Sequence, residues 1–98
     1  MDRNDILATL RSHEDELRRL GVQHAALFGS AARDTATPRS DIDILIELDP
    51  EAPLDLFAYA GLKRRIADYF AGSVDVVNRN ALKPALRGTA IADAIYAF

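Results

Sequence analysis

Two aspartates separated by a single residue, Asp41-Ile42-Asp43, follow a Gly29-Ser30 pair after ten intervening residues. Ile42, Ile44 and Ile46 alternate with Asp41, Asp43 and Leu45, the period of two that belongs to a strand. Both carboxylates then share one face with their Cβ atoms roughly 6–7 Å apart. An apolar core would not tolerate two unpaired charges on one face, whereas carboxylates at this spacing can reach a common pair of divalent cations. Gly29-Ser30 offers the complementary half of such chemistry. It is a small turn whose backbone N–H groups and hydroxyl can cradle a phosphate at the start of a short helix. A third carboxylate, Asp75, interrupts the apolar run Val74, Val76 and Val77. Taken alone it reads as a strand-end aspartate capping a turn. Taken with the other pair it completes an oxygen-rich site suited to Mg²⁺, and two such ions about 3.5–4 Å apart would activate a hydroxyl and stabilise a leaving pyrophosphate.

The elements that must position these groups follow from periodicity and punctuation. Residues 2–20 predict a helix with Ile6, Leu7, Leu10, Leu17 and Leu20 as its apolar stripe, ended by Gly21. The polar stretch 12–16 reads as a solvated face. Residues 22–28 form a strand interrupted by Gln23 and His24, the histidine being structural. A short helical segment at 31–34 and a loop at 35–38 lead to a second strand at 42–48, ended by Asp49-Pro50. Residues 54–70 predict a second amphipathic helix. It carries Leu54, Phe57, Ala58, Leu62, Ile66 and Phe70 on one side, Lys63, Arg64, Arg65 and Asp68 largely on the other, and Pro53 ahead of its first turn. Gly72-Ser73 stops it, and 74–77 is a third strand. Strand, crossover helix, strand implies that the second and third strands are parallel and connected with right-handed sense. Residues 78–84 read as a turn, and a last helix from about 86 or 88 to 96 closes the chain. Tyr59, Tyr69 and Tyr96 sit at positions where packing is the first reading. The expected fold is α/β (α+β), a small mixed sheet with helices packed against it.

Composition narrows the function classes. The 98 residues make one expected domain, 1–98, and nearly half of them are hydrophobic. Cysteine is absent, which excludes a disulfide scaffold, a thiolate zinc site and a cysteine nucleophile. The net charge of −3 argues against binding nucleic acid through a broad basic surface. Without a basic, apolar leader or a run of roughly 20 apolar residues, a cytoplasmic location is expected. Asp41-x-Asp43 is not a calcium loop, because Leu45 replaces the third oxygen ligand.

Gly29-Ser30, the Asp41-Ile42-Asp43 pair and Val74-Asp75-Val76 together resemble the signature of the polymerase-β-type nucleotidyltransferase superfamily. Small size, Arg33 after Ser30, Ser40 before the carboxylate pair, and Asn80-Ala81-Leu82-Lys83-Pro84 resemble its minimal nucleotidyltransferase branch. The resemblance covers the chain from about Val22 onward. It implies the nucleotidyltransferase fold, with Gly29, Ser30 and Arg33 holding the triphosphate of ATP. It further implies Asp41, Asp43 and Asp75 as metal ligands for Mg²⁺, Asp75 acting as or orienting the base for the incoming hydroxyl. In similar proteins the domain is the antitoxin of a pair with a HEPN-type ribonuclease toxin and transfers AMP from ATP to a toxin tyrosine. Two positions depart from the family pattern: Asp34 stands where glycine is usual, and Arg39 where an acidic residue is frequent.

Two other readings compete with a protein adenylyltransferase. One is a non-catalytic antitoxin that neutralises a HEPN ribonuclease by occupying it. The other is a stand-alone enzyme modifying small molecules, which would need an acceptor pocket that 98 residues do not reveal. In the adenylyltransferase and antitoxin readings the acceptor or target comes from a partner protein or from a second copy in a homodimer. Three converging charges favour the enzyme, since a pure binder has no physical use for them.

Overall fold

The computed structural model describes residues 2–29, 42–51, 54–81 and 92–98. Helix α1 (Arg3–Ser12) opens with a capping box: the Asp5 N–H donates to Asp2 Oδ1 at 2.9 Å, and the Asp2 N–H donates to the Asp5 carboxylate. The single helix expected over 2–20 is broken at His13, where φ is −105° and ψ is 11°, and resumes as α2 (Glu14–Arg19). Periodicity could not report the break. Leu10 and Leu17 are seven residues apart, so one apolar stripe runs across both pieces, and both side chains are fully buried. Gly21, at φ 104°, ends α2 in the left-handed region.

Strand β1 (Val22–Phe28) pairs antiparallel with β2 (Ile42–Leu48), with a bulge between Val22 and His24. Helix α3 (Leu56–Asp68) then crosses to β3 (Val74–Asn78), which lies parallel to β2 as the strand-helix-strand order requires. Asp55 caps α3 by accepting a 2.7 Å hydrogen bond from the Ala58 N–H. A 3₁₀ turn, Arg79–Ala81, follows β3, which itself extends one residue further than predicted, to Asn78. The helix expected to run through residue 96 is corrected at its end. Ile95–Tyr96 form β4, antiparallel to β1, so the sheet order is β3-β2-β1-β4. A two-residue strand carries no detectable period. It exists because the edge of β1 supplies hydrogen-bonding partners, and the Arg11 side chain holds the segment by donating to the Ala97 carbonyl.

The three described helices α1, α2 and α3 pack on one face of the sheet. Their core joins Ile6, Leu7, Leu10 and Leu17 to Leu62, Ile66 and Phe70 over the strand residues Val22, Ala25, Leu27, Ile44, Ile46 and Val76. The apolar side predicted for α3 is correct for Leu62, Ile66 and Phe70 and wrong for Ala58, which is exposed, and for Phe57, which is 86% exposed. Phe57 and Ile66 are nine residues apart, or two and a half helical turns, so they face opposite ways. The other sheet face carries, by strand alternation, Phe28 and Ala26 of β1, Asp43, Leu45 and Glu47 of β2, Asp75 and Val77 of β3, and Tyr96 of β4. No described helix is long and apolar enough to cross a membrane.

Candidate active site

The alternation that buries Ile44 and Ile46 under the helices turns Asp43 to the opposite face, and the parallel register pairs Asp43 directly with Asp75. Neighbouring strands are about 4.8 Å apart, so two acidic side chains stand side by side on one face. Asp75 is exposed and Asp43 half-buried. Between the helices and this face the sheet is closed by fully buried Ile44 and Leu45.

Gly29 supplies the third wall. It follows Phe28, which pairs with Asp43 across β1 and β2, and it adopts φ 73°, in the region that favours glycine. A Cβ placed on Gly29 would lie 2.4 Å from Asp43 Oδ2 and 3.2 Å from its Cγ. The turn and the carboxylate therefore occupy adjoining space, and only a residue without a side chain fits between them. Of the residues expected from sequence to form the site, Gly29, Asp43 and Asp75 are brought together. Ser30, Arg33 and Asp41 lie outside the described residues, as do Asp34, Arg39 and Pro53.

Residues 10–97 match the family model described as nucleotidyltransferase domain. The chain belongs to that family. It is 32% identical to the protein adenylyltransferase MntA of Thermococcus cleftensis, the match covering 94% of this chain and 92% of that one. The solved structure of a candidate minimal nucleotidyltransferase superposes with a TM-score of 0.79 at 29% identity, covering 97% of this chain and 95% of the other. A complex of a tri-AMPylated Shewanella oneidensis HEPN toxin with an MNT antitoxin gives a TM-score of 0.57 at 22% identity, over 89% and 70% of the chains, a likeness of fold. The chain is thus a nucleotidyltransferase with the minimal nucleotidyltransferase fold, an α+β mixed sheet.

The donor set of this nucleotidyltransferase fits a divalent cation. Oxygen ligands from few carboxylates are what Mg²⁺ prefers. Among the described residues no group of three or more metal-ligating side chains forms.

Two further polar clusters went unread in the sequence. On the site face, Glu47 accepts hydrogen bonds from Arg79 at 2.8 Å and from the Tyr96 hydroxyl at 2.9 Å, four residues along β2 from Asp43. On the helical face, the stretch expected to be solvated is bound. The Tyr69 hydroxyl donates to Glu16 at 2.9 Å, Arg65 pairs with the same carboxylate, and the His13 ring stacks flat on Tyr69 at 3.7 Å. The Tyr69 hydroxyl is the largest influence holding Glu16 below the usual carboxylate range. Tyr59 also differs from a plain packing residue. Its phenol is pushed up, first by burial and further by the Asp75 charge, against an opposing backbone group of Asn78, so α3 presents a hydroxyl to the β3 edge. These contacts join positions 32 to 56 residues apart, or α3 to β3, and leave no local sequence signal.

Proposed function

We propose that this chain is a protein adenylyltransferase that modifies a partner protein, a tyrosine of a HEPN-type toxin, and thereby serves as its antitoxin. The observation that carries the reading is the convergence of Asp43, Asp75 and side-chain-free Gly29 at one end of the sheet. Relatives named as protein adenylyltransferases, and the AMPylated toxin bound to a protein of this fold, support the acceptor class.

In this reading the acceptor hydroxyl oxygen forms a bond to the α-phosphorus of ATP while the bond from that phosphorus to the bridging oxygen breaks. Pyrophosphate leaves, and the acceptor proton passes to the Asp75 carboxylate and then to solvent. Asp43 and Asp75, with Asp41, would hold Mg²⁺, which when bound supplies charge neutralisation on the phosphates and lowers the pKa of the attacking hydroxyl. Asp43 is oriented by its seat against Gly29. The turn that Gly29 opens, with Ser30 and Arg33, would bind the triphosphate through N–H, hydroxyl and guanidinium donors. Beyond Asp43 the same sheet face carries buried Leu45 and the Glu47, Arg79 and Tyr96 cluster, and in this reading the acceptor belongs to a separate protein.

The deciding experiment incubates the purified chain with Mg²⁺, each α-labelled nucleoside triphosphate in turn, and the product of the neighbouring gene. Label transferred from ATP and lost in Asp43→Asn and Asp75→Asn supports the enzyme. Absence of label, with wild type and both variants still silencing the toxin, would leave a binding module on an enzyme scaffold.

A further inference from the structure

Both oxygens of the Glu47 carboxylate are bound, and each bond runs to a different outer strand. Oε1 accepts from Arg79 Nη1 at 2.8 Å, directly after β3, and Oε2 accepts from the Tyr96 hydroxyl at 2.9 Å, on β4. The Glu47 side chain is mostly buried, at 19% exposed. The β2-β3 ladder ends with Ile46 opposite Asn78, so Glu47 with Arg79 is its next rung, on the face that carries Asp43 opposite Asp75. Three rungs therefore stand in a row there: Asp43 with Asp75, Leu45 with Val77, and Glu47 with Arg79. The outer two are roughly 13 Å apart along the strands. The backbone aims Arg79 at this contact. It opens the 3₁₀ turn, which Asn78 Oδ1 braces by accepting from the Asn80 N–H at 3.1 Å. Among the described residues its buried Nε has no hydrogen-bonding partner, so the guanidinium sits where Glu47 is met and not where all of its own donors are satisfied.

Strand β3 is the element that such a rung would hold. It is five residues long, lies at the end of the described sheet and is laddered on one side, to β2. Parallel pairing is also slightly less stable per residue than antiparallel pairing. Asp43, by contrast, is on β2, which is laddered on both sides. Asp75 meets Asp43 only through the β2-β3 pairing, and a reacting constellation tolerates displacements of no more than about 0.5 Å. We infer that Glu47 and Arg79 are positioning residues for nucleotidyl transfer: by closing the far end of the ladder, their ion pair keeps β3 aligned with β2 and so fixes Asp75 beside Asp43. This role rests on the reading of Asp43 and Asp75 as partners in one site. The second arm of the same carboxylate, to Tyr96, reaches β4, which carries none of the candidate site residues, and it serves stability alone.

The two arms supply the test and its control. Native-state hydrogen exchange on the metal-free, nucleotide-free chain reads how firmly each strand is held. Arg79→Gln, which removes the charge, should speed exchange of the β3 amides by about 10-fold relative to those of β1. Tyr96→Phe should speed exchange at residues 95–98 and leave β3 at the wild-type rate. In label transfer, compared at equal folded fraction, Arg79→Gln should lower kcat by about 10-fold with KM for ATP within about two-fold of wild type. Arg79→Lys, which restores the charge, should recover most of the loss, and Tyr96→Phe should turn over like wild type. Exchange that rises equally in β1, β2 and β3 of Arg79→Gln reports general destabilisation and overturns the inference. Unchanged β3 exchange overturns it as well, and so does a Tyr96→Phe chain that loses as much turnover as Arg79→Gln. A wild type that transfers no label refutes the adenylyltransferase reading instead, while the exchange comparison still decides whether the pair aligns β3.

Discussion

Replacing Gly29 by alanine should cost far more in turnover than in stability. At φ 73° an L-residue carries about 1–2 kcal/mol of backbone strain, partly offset by about 0.4–1 kcal/mol from the stiffer unfolded chain. The net is about 1 kcal/mol, a fall of roughly 4–8 °C in Tm for a domain of this size. The new Cβ would stand 2.4 Å from Asp43 Oδ2, and Cβ atoms essentially never approach closer than 3.0 Å, so the oxygen must retreat by about 0.6 Å. A carboxylate at the end of a short side chain can do so by rotating, which spares the fold and misdirects the ligand. Misplacement on the order of 1 Å costs about 100-fold in rate when a reacting group is positioned by it. Label transfer from ATP should therefore drop by roughly 30- to 100-fold. Gly72→Ala is the matched control: its φ of 96° imposes the same kind of strain, yet its Cβ meets nothing within 4 Å. It should lose comparable Tm and keep its activity. Full transfer by Gly29→Ala, or equal inactivation by Gly72→Ala, would refute the placement of Asp43 against the turn.

Other consequences can be measured on the same protein. Asp75→Asn relieves a like-charge neighbour of Asp43, so in metal-free buffer its Tm should rise by a few degrees, while Mg²⁺ should stabilise the wild type and leave the variant unmoved in differential scanning fluorimetry. Tyr69→Phe removes the hydroxyl that does most to lower Glu16, so carboxyl-detected NMR should find Glu16 titrating closer to 4.5. The Tyr69 phenol is itself pushed up to about 12, first by burial and then by Glu16. Its contribution is complete below the unfolded value of about 10 and is lost as pH rises toward 12, so above pH 10 the wild type should lose Tm more steeply than Tyr69→Phe. Leu10→Ala, at a fully buried position joining α1 to the sheet, should cost about 2–5 kcal/mol in urea unfolding, whereas Phe57→Ala at low protein concentration should stay within about 0.5 kcal/mol of wild type.

Local pattern was enough wherever one period or one covalent constraint decided the outcome. The alternation around Asp43 is a property of the strand itself, and the β2-α3-β3 order forces a crossover and a parallel pair, so the neighbourhood of Asp43 and Asp75 was legible before any coordinates. The demand for glycine at 29 was also legible as a turn. What tertiary structure decided were contacts between residues distant in the chain. The antiparallel register of β1 with β2 set Gly29 against the Asp43 oxygen, and the free edge of β1 drew Ile95–Tyr96 into a strand where a helix was expected. Arg65 and Tyr69 bind Glu16, and Tyr69 stacks on His13, so part of the polar stretch expected to be solvated is a bound cluster. Helical phase likewise put Phe57 outside, because the sheet selects one face of α3 and leaves the residue half a turn away uncovered. The sequence by itself determined which carboxylates share a strand face and which turn precedes them, since those follow from bonds along one segment. The structure determined how near the turn stands to the carboxylates and what the remaining polar groups hold, since those distances are set by segments that meet only when the chain is folded.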